Sequence, residues 1–129
     1  MEVDRQVIRT DTAPKAVGPY SLGIQAGDFI FCSGQAALDP ATGKLVPGGI
    51  KEQTRQILKN LEAVLQAGGS DLNRVVKVTV FLADWSDFQG MNDVFAEFFG
   101  TSEPPARSTI QGARWPQGSL LAIEAIALR

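Results

Sequence analysis

Arg107 and Glu124, 17 residues apart, are the two charged side chains whose settings are hardest to explain as ordinary solvated surface. Glu124 sits in the run Ser119–Leu128, SLLAIEAIAL, otherwise almost wholly apolar. Stranding an unpaired carboxylate in such surroundings costs several kcal/mol, so the group must be protonated, paired with a cation, or supplied with trapped water. Arg107 follows Pro104, Pro105 and Ala106 and precedes Ser-Thr-Ile, so its guanidinium is presented from a stiffened strand start. Two readings of Arg107 stand: a surface arginine on an edge strand, or a fixed fork that grips a planar carboxylate in bidentate fashion, which lysine would do less well. A direct Arg107–Glu124 ion pair accounts for both residues. Alternatively, a ligand carboxylate takes the arginine and leaves Glu124 to hold a water.

The remaining candidates are hydrogen-bonding groups. Asn92 falls on the apolar stripe of a predicted helix, where a buried amide needs partners, either from nearby backbone or from a ligand. Tyr20 and Ser33 bracket a predicted hairpin, and each offers a hydroxyl with no imidazole to activate it. Lys51 and Lys77 read as solvated. The chain contains no histidine, which removes imidazole bases, Ser-His-Asp and Cys-His nucleophile systems and the commonest metal ligand. The single cysteine, Cys32, lies in an apolar run and reads as a small buried hydrophobe. No metal site is expected. Gly43-Lys44 lacks the flanking residues of a phosphate loop, and no G-x-G-x-x-G is present, so a nucleotide cofactor has no foothold.

The elements that would position these groups are legible from periodicity. At 129 residues, the chain is read as one domain spanning 1–129. Val7–Thr10 is a weak first strand, and Ser21–Ala26 and Phe29–Gln35 form a hairpin across Gly27-Asp28. Ile50, Ile57, Leu58, Leu61, Val64 and Leu65 share one face of a helix that Gly68-Gly69 stops. In Val75–Leu82 the alternation puts Val76, Val78, Val80 and Leu82 on one face, with Lys77 and Thr79 on the other. Ser86 and Gln89 form a capping-box signature for a second helix carrying Phe88, Met91, Phe95, Phe98 and Phe99. Ala106–Ile110 and the closing run are strands.

This order predicts an α+β two-layer sandwich, a mixed sheet with two helices on one face. The closing strand is apolar on both sides, with Leu120, Ala122, Ile126 and Leu128 beside Glu124 and Leu121, Ile123, Ala125 and Ala127 opposite. Both faces should therefore be covered, and a second copy of the chain is the simplest cover. Twelve basic residues against 14 acidic ones, a net charge of −2, give no electrostatic case for nucleic acid or an anionic membrane. With neither an apolar leader at the start nor a run long enough to span a bilayer, the sequence reads as cytoplasmic.

Six segments in order, Gly18-Pro-Tyr-Ser21, Cys32-Ser-Gly-Gln35 with Leu38-Asp-Pro40, the Gln53–Gly69 helix, Asn92 within Met91–Phe95, Pro104-Pro-Ala-Arg-Ser108 and Ile123-Glu-Ala-Ile-Ala127, resemble the RidA (reactive intermediate deaminase A, YjgF-type) family from about Val7 to Leu128. The resemblance implies a chorismate-mutase-like fold assembled as a homotrimer, with clefts between subunits and no cofactor. It implies a role in amino-acid metabolism, hydrolysing the enamines and imines released by pyridoxal-phosphate enzymes to 2-oxo acids and ammonia. Arg107 would then clamp the carboxylate of a small 2-imino acid and Glu124 would orient or activate water. Tyr20, Ser33 and Asn92 would shape the cleft, and backbone around Gly34 and Thr109 would contact the substrate. Such an imine is already electrophilic, so a positioned water suffices and the missing histidine is no obstacle. The chain departs from the family's usual residues at Thr109, Leu22 and Trp115. The alternatives are a non-catalytic, chaperone-like trimer that binds small carboxylates and, with less support in a chain lacking histidine and a basic stripe, an endoribonuclease.

Overall fold

The protein is described by a computed structural model covering residues 4–112 and 114–129. Its elements run β1 (Arg5–Ile8), β2 (Gly23–Ala26), β3 (Phe29–Gln35), α1 (Ile50–Ala67), β4 (Val75–Leu82), α2 (Phe88–Phe99), β5 (Ala106–Gln111) and β6 (Leu121–Leu128). The six strands form one sheet in the order β1-β2-β3-β6-β4-β5, antiparallel throughout except for β4 and β5. A parallel pair needs a crossover, and α2 supplies it. The architecture is the α+β one expected, with a mixed sheet and two helices. No helix among the described residues is long and apolar enough to cross a membrane.

One face of the sheet carries the core. Ile30 on β3, Val78, Val80 and Leu82 on β4, and Leu121, Ile123 and Ala127 on β6 are sealed against Ile57, Leu58, Leu61, Val64 and Leu65 of α1 and Met91 and Val94 of α2. The Gly49 N–H donates to Glu52 Oε2 at 3.1 Å, closing the first turn of α1 from within the helix. Two polar residues in the buried face of α1 tie loops to it. Gln53 Oε1 accepts from the Leu120 N–H at 2.8 Å, and Asn60 Nδ2 donates to the Leu38 carbonyl at 2.9 Å. The loops after β3 and before β6 are thereby fixed to the core, where both border the hollows of the candidate site.

Three local expectations change. Val76 does not share the face of Val78: the β4–β6 register shifts between Val75 and Lys77, so Val75 turns inward and Val76 is exposed. Such a bulge inserts one unpaired residue and resets the alternation. The entry to α2 is a single turn of 3-10 helix, Trp85–Asp87, capped by Asp84, whose side chain accepts from the Ser86 N–H at 2.8 Å. Ser86 is thus the donor to a cap and not the cap itself. Leu120 precedes β6 and packs against the core instead of standing beside Glu124.

The other face is bare. Phe29 and Phe31 on β3, Ile110 on β5 and Leu128 on β6 are 41%, 44%, 47% and 43% exposed, respectively. The same face presents Lys77 and Thr79, and Glu124 projects from it exposed to solvent. Within one chain, therefore, the carboxylate suffers no burial penalty, and the covering layer expected over it is not made by any described element of the chain.

Candidate active site

The candidate side chains are distributed over three hollows. The first lies on the helix side of the sheet, between α2 and the start of β5, and is lined by Asn92, Phe95, Gly100, Thr101, Pro105 and Arg107. Gly100 makes the chain leave α2 at φ 72°, a left-handed conformation that glycine adopts without strain, and the two prolines then lead it into β5. Strand register sets the direction of the arginine: Arg107 pairs with Val78, and Val78 faces the core, so Arg107 points under α2. Its guanidinium carbon lies 4.9 Å from the centre of the Phe95 ring and 5.7 Å from that of Phe88, and Nη1 approaches Met91 Sδ at 3.6 Å.

These contacts hold the cation in place without neutralising it. No acidic side chain among the described residues is within ion-pair distance of Arg107. Burial lowers its pKa from the ordinary arginine value, because desolvation disfavours the charged form. Asn92 adds a second unmet requirement, since its Oδ1 is buried with no hydrogen-bond partner. A half-buried guanidinium with no acidic partner among the described residues and an orphaned amide oxygen thus line one hollow, and each has unmet capacity for a polar partner.

The second hollow opens among the loop before β2, the bulged end of β3, and the loop after β5. Tyr20, Leu22, Gly34, Phe81, Trp115 and Ala122 line it. The β3–β6 register shifts between Cys32 and Gln35, and this irregularity carries Ser33 and Gly34 out of the ladder. Ser33 Oγ donates to the Ser21 carbonyl at 2.6 Å, fixing the segment that bears Tyr20, whose Oη accepts from the Val17 N–H at 3.3 Å. The third hollow, on the bare face, gathers Phe31, Lys77, Thr79, Glu124 and Ile126. Lys77 Nζ donates to Ser108 Oγ at 3.0 Å.

Arg107 and Asn92 therefore meet, Tyr20 and Gly34 meet with Ser33 behind them, and Glu124 joins neither group. Thr109 is half-buried on β5, on the same face as Arg107 and two residues along. The direct Arg107–Glu124 ion pair does not occur in one chain. Sequence reading missed the part Lys77, Phe81 and Ala122 play in these hollows. Alternation, which already put Ala122 on the face of Glu124, would have found Phe81 from Thr79, whereas nothing in the sequence signals the bulge that frees Gly34.

Fold and site together define an α+β protein with a six-stranded mixed sheet and a half-buried arginine in a hollow beneath its second helix. The chain belongs to the RidA/YjgF family, whose family model, described as endoribonuclease L-PSP, matches residues 10–129. It is 52% identical over 125 residues to a RutC family protein of Pyrococcus horikoshii, covering 97% of this chain and 98% of the relative. It is 50% identical to the 2-iminobutanoate/2-iminopropanoate deaminase of Mus musculus, covering 97% and 92% of the two chains. The crystal structure of E. coli TdcF with bound serine superposes with a TM-score of 0.90 at 40% identity, covering 96% of this chain and 98% of that one.

Proposed function

We propose that the protein is a cytoplasmic hydrolase of 2-imino acids and their enamine tautomers, working without a cofactor as a homotrimer of chorismate-mutase-like protomers with clefts between copies. The observation that carries this reading is Arg107, held between aromatic rings beside the unpartnered Asn92 Oδ1 with no acidic partner among the described residues. Arg107 clamps the substrate carboxylate, and Asn92 takes a donor from the substrate or from bound water. Tyr20, Ser33, Gly34 and Thr109 shape the remaining walls of the cleft.

In the reaction, the oxygen of water bonds to the imine carbon, the carbon–nitrogen bond then breaks, and the nitrogen leaves as ammonia with the protons released by the water. An enamine first takes a proton at its β-carbon to become the imine. Glu124 holds the attacking water and accepts its proton, a task for a carboxylate that needs no histidine or metal. Because Arg107 and Glu124 occupy opposite faces of one sheet, they act on one substrate only if they come from different copies. The bare apolar face supports such assembly. The mouse relative named as an imine deaminase and the serine bound to TdcF support a small α-substituted acid as the ligand.

A second reading, a trimer that binds small carboxylates without turnover, is favoured by one observation: Glu124 is in a different hollow from Arg107. One assay separates the two. Added to a serine or threonine dehydratase reaction, the protein should accelerate 2-oxo acid formation, Arg107→Ala should abolish the gain, and Glu124→Gln should reduce it by about 100-fold or more. Carboxylate binding that needs Arg107, with no acceleration by the wild type, would establish the non-catalytic reading. The absence of histidine and the net negative charge make ribonucleolysis the least supported of the three readings.

A further inference from the structure

Two energetic costs coincide in the loop between β5 and β6. Gln117 adopts φ 56° and ψ 21°, the one non-glycine residue among those described with positive φ. A residue with a side chain is disfavoured there, and such outliers persist when surrounding contacts over-determine them. Two residues earlier, Trp115 buries its indole Nε1–H with no hydrogen-bond partner. An orphaned donor of this kind is a net loss that a purely hydrocarbon side chain would avoid.

The contacts explain how both are maintained. The Gln117 amide spans two backbone groups of the turn after Leu38: its Oε1 accepts from the Leu45 N–H at 3.0 Å and its Nε2 donates to the Gly43 carbonyl at 2.8 Å. This clasp ties the loop to a turn 72 residues away in sequence. It anchors the chain two residues after Trp115. Trp115 packs on Phe81 with ring centres 5.4 Å apart and the ring planes tilted by 53°. Both rings line the hollow that also contains Tyr20, Leu22, Gly34 and Ala122.

That hollow, of about 190 Å³, is lined mainly by hydrocarbon and aromatic surface, with the small residues Gly34 and Ala122 among its lining. We infer that Trp115, held by the Gln117 clasp, is the specificity wall for the substrate's side chain, and that the preferred substrates are 2-imino acids with branched or linear apolar side chains of three to four carbons. The inference rests on the imine-hydrolase reading and extends it from the carboxylate end of the substrate to the opposite end. An indole sharing a hollow with side chains as small as those of Gly34 and Ala122 leaves room suited to an aliphatic chain. Each methylene buried there strengthens binding by about fourfold, and a methyl-bearing substrate leaves the hollow partly filled.

The test compares 2-iminopropanoate with 4-methyl-2-iminopentanoate, each generated in place from alanine or leucine by an amino-acid oxidase with catalase present. For the wild type, kcat/KM for the leucine-derived imine should exceed that for the alanine-derived imine by about tenfold or more, following the methylene increment. Trp115→Ala should remove most of that preference, chiefly through KM for the larger substrate. Gln117→Ala should act in the same direction to a smaller degree, as expected of a positioning residue. The ratio between substrates is the readout because a general loss of folded protein lowers both rates equally and leaves the ratio unmoved. Equal kcat/KM values in the wild type, or an unchanged preference in both variants, would overturn the inference while leaving imine hydrolysis intact. Failure to accelerate hydrolysis of either imine would overturn both.

Discussion

Arg107 and Glu124 stand on opposite faces of one sheet: Arg107 is aligned with Val78 and through it with Ala125, whereas Glu124 is aligned with Thr79 and through it with Ser108. Neighbouring strands keep paired residues on a common face, so a displacement of one position along β6 puts a side chain on the other side. The consequence is geometric. The arginine lies under α2 among aromatic rings, and the carboxylate lies on the bare face beside Lys77. No rotamer change in a single chain brings them into one cleft, and any chemistry that uses both is a property of an assembly.

The contact between the helices sets how firmly the arginine hollow is built. A Cβ placed on Gly90 of α2 would come within 2.5 Å of Ile50 Cγ2 on α1, closer than two carbons can approach. Gly90→Ala improves helix propensity by up to about 1 kcal/mol, yet overpacking costs about 1–3 kcal/mol. The expected result is a net loss of stability in urea denaturation, with much of it recovered in the Gly90→Ala/Ile50→Ala double variant. A double variant no more stable than the sum of its single changes would show that this close approach is not the cause.

Cys32 provides a check on the core. Burial pushes its thiol up to about 12, and it packs between the sheet and α1. The thiolate is the reactive form, so at pH 8 the folded protein should react with a disulfide reagent about 100-fold or more slowly than the chain unfolded in urea. Rapid stoichiometric labelling under native conditions would show that β3 opens readily or is packed differently.

Much of this arrangement was legible in the sequence because it depends on period. The stripe Ile57, Leu58, Leu61, Val64 and Leu65 specifies α1, and the alternation of β6 specifies which residues face it. What escaped was set by single insertions and by long-range bonds. The bulge at Val75–Lys77 reverses Val76, the one at Cys32–Gln35 exposes Gly34, and the Gln117 clasp joins segments whose sequences give no sign of their meeting. Arg107 and Glu124 could be chosen as unusual from composition alone. Their faces could not, because the register of β4 against both neighbours is fixed by that bulge and by the crossover through α2.

The bare face makes a separate prediction about assembly. Phe31 is 44% exposed on it, close to Ile126 and the charged pair of groups Lys77 and Glu124. Burying the part of the phenyl ring still exposed contributes about 1 kcal/mol per protomer, and an aspartate in its place would have to be desolvated instead. Light scattering should give a trimer for the wild type and a smaller species for Phe31→Asp, with the helix content unchanged by circular dichroism. A variant that keeps the wild-type mass would remove this face from the interface.

If Arg107 and Glu124 act on one substrate from different copies, two inactive variants should restore each other. In trimers formed by unfolding and refolding an equal mixture of Arg107→Ala and Glu124→Gln chains, a cleft is intact when its arginine comes from one variant and its carboxylate from the other. Random assembly makes this true of about one cleft in four, so the mixture should regain about a quarter of wild-type imine hydrolysis while each variant refolded alone stays inactive. Clefts built within a single chain would give no restoration, since every chain in the mixture lacks one of the two groups. The opposite faces occupied by Arg107 and Glu124 in the protomer require restoration if both residues take part in the reaction. A mixture that refolds to mixed trimers and remains inactive would remove one of them from it.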